Sequence, residues 1–287
     1  MELCTELPGW LEACRPEDAL SAGAYENAAP ELRALLKTAL AFAFHRWPGQ
    51  DGVSARSSCS LRSGFRHTDT LRPAAWVLAC AGPGYASPAR FLACLVPALA
   101  AGTGRIAVVS EQAFSPALCT AMELAGLEDS FVLGGDRLAD VYEDLRAVSS
   151  DGRLLLFPGA DGTFSPAQKS LLHGAAADGL PVLRDRPSPR LLSLYASGPD
   201  AEALAARLRW LHPDAELLTE AAAGVRAAYV PDEKTKVPAS PDMILGPGME
   251  ACWPGPAPDF FRSSACSAYL FQETSACFNP QPASSSD

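Results

Sequence analysis

The chain has 287 residues, 48% of them apolar, and a formal net charge of −10. That is apolar material enough for one large or two modest domains. The acidic balance excludes an extended nucleic-acid or anionic-membrane surface, since both need clustered Lys and Arg.

No internal repeat occurs, and no apolar run approaches the roughly 18 residues of a membrane span. The opening MELCTELPGW lacks the basic-then-apolar order of a signal peptide. Nine cysteines are scattered without a C-x-x-C pair, and Cys80 and Cys94 lie inside apolar runs where cysteine acts as a small core residue. A reduced, cytoplasmic protein is expected. The spacing of Cys252, Cys266 and Cys277 matches no zinc pattern.

In chain order, the apolar spacing predicts a helix over Trp10–Leu20 and a second over Pro30–Phe44, stopped by WPGQDG (47–52). From there to Arg72 the chain reads as irregular or as a weak hairpin. The stretch WVLACAGPGYASPARFLACLVPALAAGTGRIAVVS (76–110) then reads as strand, turn, helix, turn, strand. Its two strands, 76–80 and 105–110, are apolar throughout, as strands buried on both faces are. Pro88 suits a first helical turn, and Gly102 and Gly104 close the helix. Such a unit crosses over into a parallel sheet, with ligands favoured at the carboxyl ends of the strands.

Further elements follow at similar spacing: helix 115–125 capped by Ser115, strand 130–135, helix 137–147, strand 153–159, and helix 166–177 capped by Ser165. This alternation predicts an α/β fold with a doubly wound, mostly parallel sheet. PVLRD (181–185), RLLSLYA (190–196) and AAYVP (227–231) read as additional strands, with a helix from residue 198 that breaks at the HPD turn and a short strand after it. The expected divisions are an N-terminal helical segment and linker (1–72), the α/β core (73–180), a reduced second α/β subdomain with the C-terminal segment (181–278), and a disordered tail (279–287).

Three glycine-bearing turns follow strands on one rim: AGPGYAS (81–87), LGGDR (133–137) and FPGADG (157–162). None fits G-x-G-x-x-G or a P-loop, so they mark a cleft without fixing its chemistry. The histidines, His45, His67, His173 and His212, form no H-x-x-x-H pair. Arg137 is expected to bond Asp140 or Glu143 on its own helix.

The succession of GGDR, FPGA, RPSP and LHPDAELLT resembles the histidinol dehydrogenase family from about Ala24 to Gln272. The family oxidises histidinol with NAD and a bound zinc on Rossmann-like domains, so a Rossmann-like core and an oxidoreductase ancestry are implied. The resemblance places cofactor contacts on Gly84, Tyr85, Gly134, Gly135, Arg137, Pro158 and Gly159. The family's tyrosine, glutamine and asparagine contacts correspond to Ala79, Arg137 and Ala160. An alanine offers neither a stacking face nor a paired donor and acceptor. Of the zinc ligands, His212 and Asp242 are retained. Arg209 stands for the glutamine and Met249 for a substrate-contacting histidine, and the C-terminal histidine has no counterpart. The segment with the acid/base pair is missing between LLTE (217–220) and AAYVP.

The resemblance thus implies a degenerate, shortened relative without catalytic residues. Such a protein no longer oxidises histidinol, has no required cofactor, and binds a small molecule or a partner at the inherited cleft. The alternative is an active NAD(P)-dependent oxidoreductase on another alcohol or aldehyde. A homodimer is the partner the resemblance implies.

Overall fold

The structure is a computed structural model that describes residues 7–46, 55–61, 65–185, 189–194, 199–220, 222–237 and 240–270. The expected WPGQDG stop, most of RPSP, Cys277 and the expected tail lie outside the described residues. Two helices come first, α1 (Asp18–Asn27) and α2 (Pro30–Arg46), followed by β1 (Ala55–Ser60), β2 (Phe65–Pro73) and β3 (Trp76–Ala81). The α/β run continues as α3 (Pro88–Ala100), β4 (Arg105–Ser110), α4 (Pro116–Ala125), β5 (Ser130–Val132), α5 (Leu138–Val148), β6 (Gly152–Phe157), α6 (Pro166–Ala177) and β7 (Val182–Arg184). Then come β8 (Arg190–Ser193), α7 (Pro199–Leu211), β9 (Glu216–Leu218), β10 (Val225–Tyr229), β11 (Met243–Leu245) and β12 (Arg262–Leu270). No helix among the described residues is long and apolar enough to cross a membrane.

The chain divides into two compact units, residues 1–53 with 73–263, and residues 54–72 with 264–287. In the larger unit, the described strands form a five-stranded sheet in the order β5-β4-β3-β6-β7 and a four-stranded sheet in the order β11-β10-β8-β9. All the pairings within both are parallel. The Rossmann-like α/β fold expected from the sequence is therefore present.

Alternation along β3 sorts the core into two faces. Val77, Ala79 and Ala81 meet the cluster built from α2, α3, α4 and α7, whereas Trp76, Leu78 and Cys80 meet the one built from α5 and α6. The second sheet joins the first cluster through Leu191, Ala227, Tyr229 and Leu245, with Leu204, Leu208 and Leu211 of α7.

Helix starts follow the sequence signals. Ser87, Ser115 and Ser165 each accept a backbone N–H three residues on, each ahead of a proline. Gln168 completes a capping box with Ser165. Inside α3, Pro97 lacks the N–H that would bond Ala93. The backbone of Gly255 fits against that carbonyl so closely that a Cβ on Gly255 would stand 1.9 Å from Ala93 O.

Several expectations are corrected. The first helix is a short 3-10 turn over Gly9–Cys14 and then α1, because Pro16 breaks the run between them. Of the two readings of the 48–72 segment, the hairpin is the one that forms, as the antiparallel β1–β2 pair. β5 stops at Val132, and past Leu133 and Gly134 the GDR segment coils into a 3-10 turn over Gly135–Arg137. β6 starts at Gly152 and ends at Phe157. The end of α7 at Leu211, ahead of Pro213, is where the HPD break is expected. Beyond Pro238, where no element is expected, β11 and β12 form.

Candidate functional site

The rim of the five-stranded sheet is held by contacts between its own loops. Gly84 takes a left-handed conformation at φ 72°, and Ala160 N–H donates to Pro83 O at 2.9 Å. A Cβ on Gly82 would lie 2.6 Å from Gly159 N, and one on Gly159 would lie 3.0 Å from Pro83 O. Beneath them, the buried Gln168 amide donates to Cys80 O at 3.0 Å and to Phe157 O at 2.8 Å. Gly82, Gly84, Pro158 and Gly159 are thus brought together, packed on one another.

The other sequence-derived contacts lie across β4. A Cβ on Gly135 would stand 2.9 Å from Glu111 Oε2, and one on Gly134 would stand 2.7 Å from Asp136. Glu111 accepts from Ser165, the cap of α6. A carboxylate therefore sits at the helix N-terminus, where a phosphate would be received. Arg137 lies 3.2 Å from Asp140, as its spacing predicts, and over the Trp10 ring at 4.1 Å. Tyr85 turns inward and donates to Asp185 at 3.2 Å.

That hydrogen bond leads to a buried ionic group that sequence reasoning missed. Arg90, on α3, is fully buried. Its Nη2 lies 2.9 Å from Asp185, after β7, and 2.7 Å from Asp214, in the turn after α7. Burial opposes its charge, but Tyr85, Asp185 and Asp214 outweigh that, and the guanidinium holds its proton more tightly than usual. The signal for it is an arginine on the apolar face of PARFLACL, since a charge is buried only with partners.

His212 lies alongside. Its Nδ1 is 3.4 Å from Ser87 Oγ, and its ring is 5.0 Å from that of Trp253. Burial foremost, then the charge of Arg90, bring its pKa down to about 3, against a hydrogen bond with the Glu250 backbone. It is a neutral imidazole at ordinary pH. Asp242 is ion-paired with Arg226. Neither residue belongs to a group of three ligand-type side chains among the described residues. His212 is buried beside the Arg90 cation and Asp242 is already paired with Arg226, surroundings that oppose a zinc ion.

Beside this group opens a cleft of about 380 Å³, lined by Cys94, Leu183, Arg184, Asp185, Arg226 and the segment 253–256. It sits where the carboxyl end of β7 faces β10 of the second sheet. Its size falls within the roughly 300–1,000 Å³ of small-molecule sites. Two arginines and an indole line it. Burial pushes the Cys94 thiol well above its ordinary range, so it does not supply a thiolate.

Two parallel sheets flanked by helices, with a cleft between them, define a Rossmann-like α/β protein. Among solved structures the fold is similar to a histidinol dehydrogenase from Elizabethkingia anophelis, with a TM-score of 0.56 and 12% identity, over 90% of this chain and 77% of that one. The putative aldehyde dehydrogenase PutA from Anabaena variabilis matches with a TM-score of 0.34 and 18% identity, over 75% of this chain and 47% of that one. An aldehyde dehydrogenase from Bacillus cereus gives 0.35 and 13%, over 74% and 44%. This chain thus spans under half the length of either aldehyde dehydrogenase. At these identities the likeness is one of fold. No protein-family model and no curated protein matches the sequence.

Proposed function

We propose that this chain is a relative of histidinol dehydrogenase that no longer oxidises histidinol and binds a small anionic molecule in the cleft between its two sheets. The observation that carries the reading is the buried Arg90–Asp185–Asp214 group, with neutral His212 beside it. The groups nearest the cleft are committed to one another. His212, with its pKa pushed down to about 3, is not the base near neutrality that proton removal from an alcohol needs. The NAD positions support the same reading. Gly82 and Gly159 are in backbone contact, and Glu111 places negative charge at the start of α6, where a pyrophosphate would need donors. Arg184, exposed at the cleft, gives it its preference for a carboxylate or phosphate, and Trp253 gives it an apolar wall.

Calorimetry and a coupled NADH assay test this. Small carboxylates and phosphates are expected to give heat that Arg184→Ala weakens, and histidinol with NAD and zinc gives no NADH. Zinc-dependent NADH formation overturns the reading. Saturable NAD or NADP binding, with turnover of another alcohol or aldehyde, installs the active-oxidoreductase alternative in its place.

A further inference from the structure

We propose that the three-stranded sheet of the smaller unit binds a zinc ion on the open face of β2, through His67, Asp69, Cys266 and Cys59. The ligand atoms of His67, Asp69 and Cys266 all lie within 4.8 Å of one another, and His67 Nε2 is 3.1 Å from Asp69 Oδ1. Strand geometry produces this grouping. Residues two apart share a face, so His67 and Asp69 project together. Thr68, between them, is buried on the other side with its hydroxyl 3.2 Å from that of Ser58.

The sheet order is β1-β2-β12, so β2 is central and each neighbour can bring a side chain to the same face. From β12 that side chain is Cys266. From β1 it is Cys59, the register partner of His67. Directly opposed antiparallel residues share a face with Cβ atoms roughly 4.5–5.5 Å apart. Both thiols are free and exposed.

Two thiolates, an imidazole and a carboxylate form the N, O and S donor set that zinc takes tetrahedrally. Thiolate ligands favour zinc over magnesium or calcium. Zinc bonds of roughly 2.0–2.3 Å set ligand atoms roughly 3.3–3.8 Å apart, so among His67, Asp69 and Cys266 the pairs close by at most about 1 Å, and Cys59 joins them from its register position by side-chain rotation. The set shares no residue with His212 and Asp242. The sequence conceals it because its ligands come from three strands, two of them nearly 200 residues from the third.

The test uses the full chain, reduced and stripped with a chelator, then titrated with Co²⁺ and Zn²⁺. One cobalt per chain is expected, with thiolate-to-metal charge-transfer absorption that zinc displaces. His67→Ala and Cys266→Ser should each weaken binding by more than the roughly 10–100-fold that loss of a supporting residue costs. Cys59→Ser should about halve the charge-transfer band. Cys252→Ser, in the larger unit, should change neither. Circular dichroism checks that each variant is folded. In the unsubstituted protein, zinc should slow alkylation of Cys59 and Cys266 but not of Cys14. Absence of stoichiometric binding, binding indifferent to His67→Ala and Cys266→Ser, or equal alkylation with and without zinc overturns the site. An unchanged band in Cys59→Ser overturns the fourth ligand.

Discussion

Arg90 and Asp214 meet at 2.7 Å although 124 residues separate them, joining the first turn of α3 to the turn that follows α7. The first sheet's crossover helix and the second sheet's helix are thereby pinned together by charge in an otherwise apolar core. Arg90→Met keeps the volume but strands Asp185 and Asp214. It is expected to cost roughly 3–5 kcal/mol, read as a fall in the urea midpoint. Adding Asp185→Asn and Asp214→Asn to that variant should recover much of the loss, because the stranded charges go too.

His212 makes stability pH-dependent in a defined window. Its folded value of about 3 lies below the unfolded value of about 6.5. Between those values the unfolded chain takes up a proton and the folded chain does not. Stability therefore falls as pH drops from about 6.5 toward 3, by up to about 1.4 kcal/mol per unit, and the group contributes no slope above that range. Denaturation series at successive pH values should lose this component in His212→Gln.

The rim can be tested by a single methyl group. Gly82→Ala would press a Cβ onto the Gly159 and Pro158 backbone, and a loss of roughly 1–3 kcal/mol is expected. Gly23→Ala, on α1 with open space around it, should be neutral or stabilising by up to about 1 kcal/mol. Thermal midpoints of the two variants should move in opposite directions or differ by several degrees.

Gln168→Leu removes both N–H donors that hold the ends of β3 and β6; Phe157 O keeps the Gly82 N–H at 2.9 Å, and Cys80 O loses its side-chain donor. A loss of roughly 1–3 kcal/mol is expected, with faster amide exchange in the 82–85 and 158–163 loops.

The parallel core is legible in sequence because buried strands such as WVLAC and RIAVVS are apolar on both faces and serine-proline pairs announce α4 and α6. The paired edges are not. β11 has three residues, and β1, ARSSCS, has almost no apolar content, so both form by pairing rather than by pattern. The site divides the same way. Arg137 meets Asp140 because they are close in sequence, whereas Arg90 finds Asp185 and Asp214 only once the sheets assemble. Arg153 belongs with Arg90. It sits in buried β6 because its guanidinium donates to Phe260 O, Arg262 O and Ser263 Oγ, partners that no local window contains.

Gly255 bears on how wide the cleft can be. The residue lines the cleft and is also seated on the Ala93 carbonyl that Pro97 leaves unbonded in α3. Any larger side chain at position 255 must lift the 253–256 wall away from the helix. Position 255 therefore works as a spacer that sets the gap between wall and helix. Gly255→Ala is expected to push that wall outward and widen the cleft.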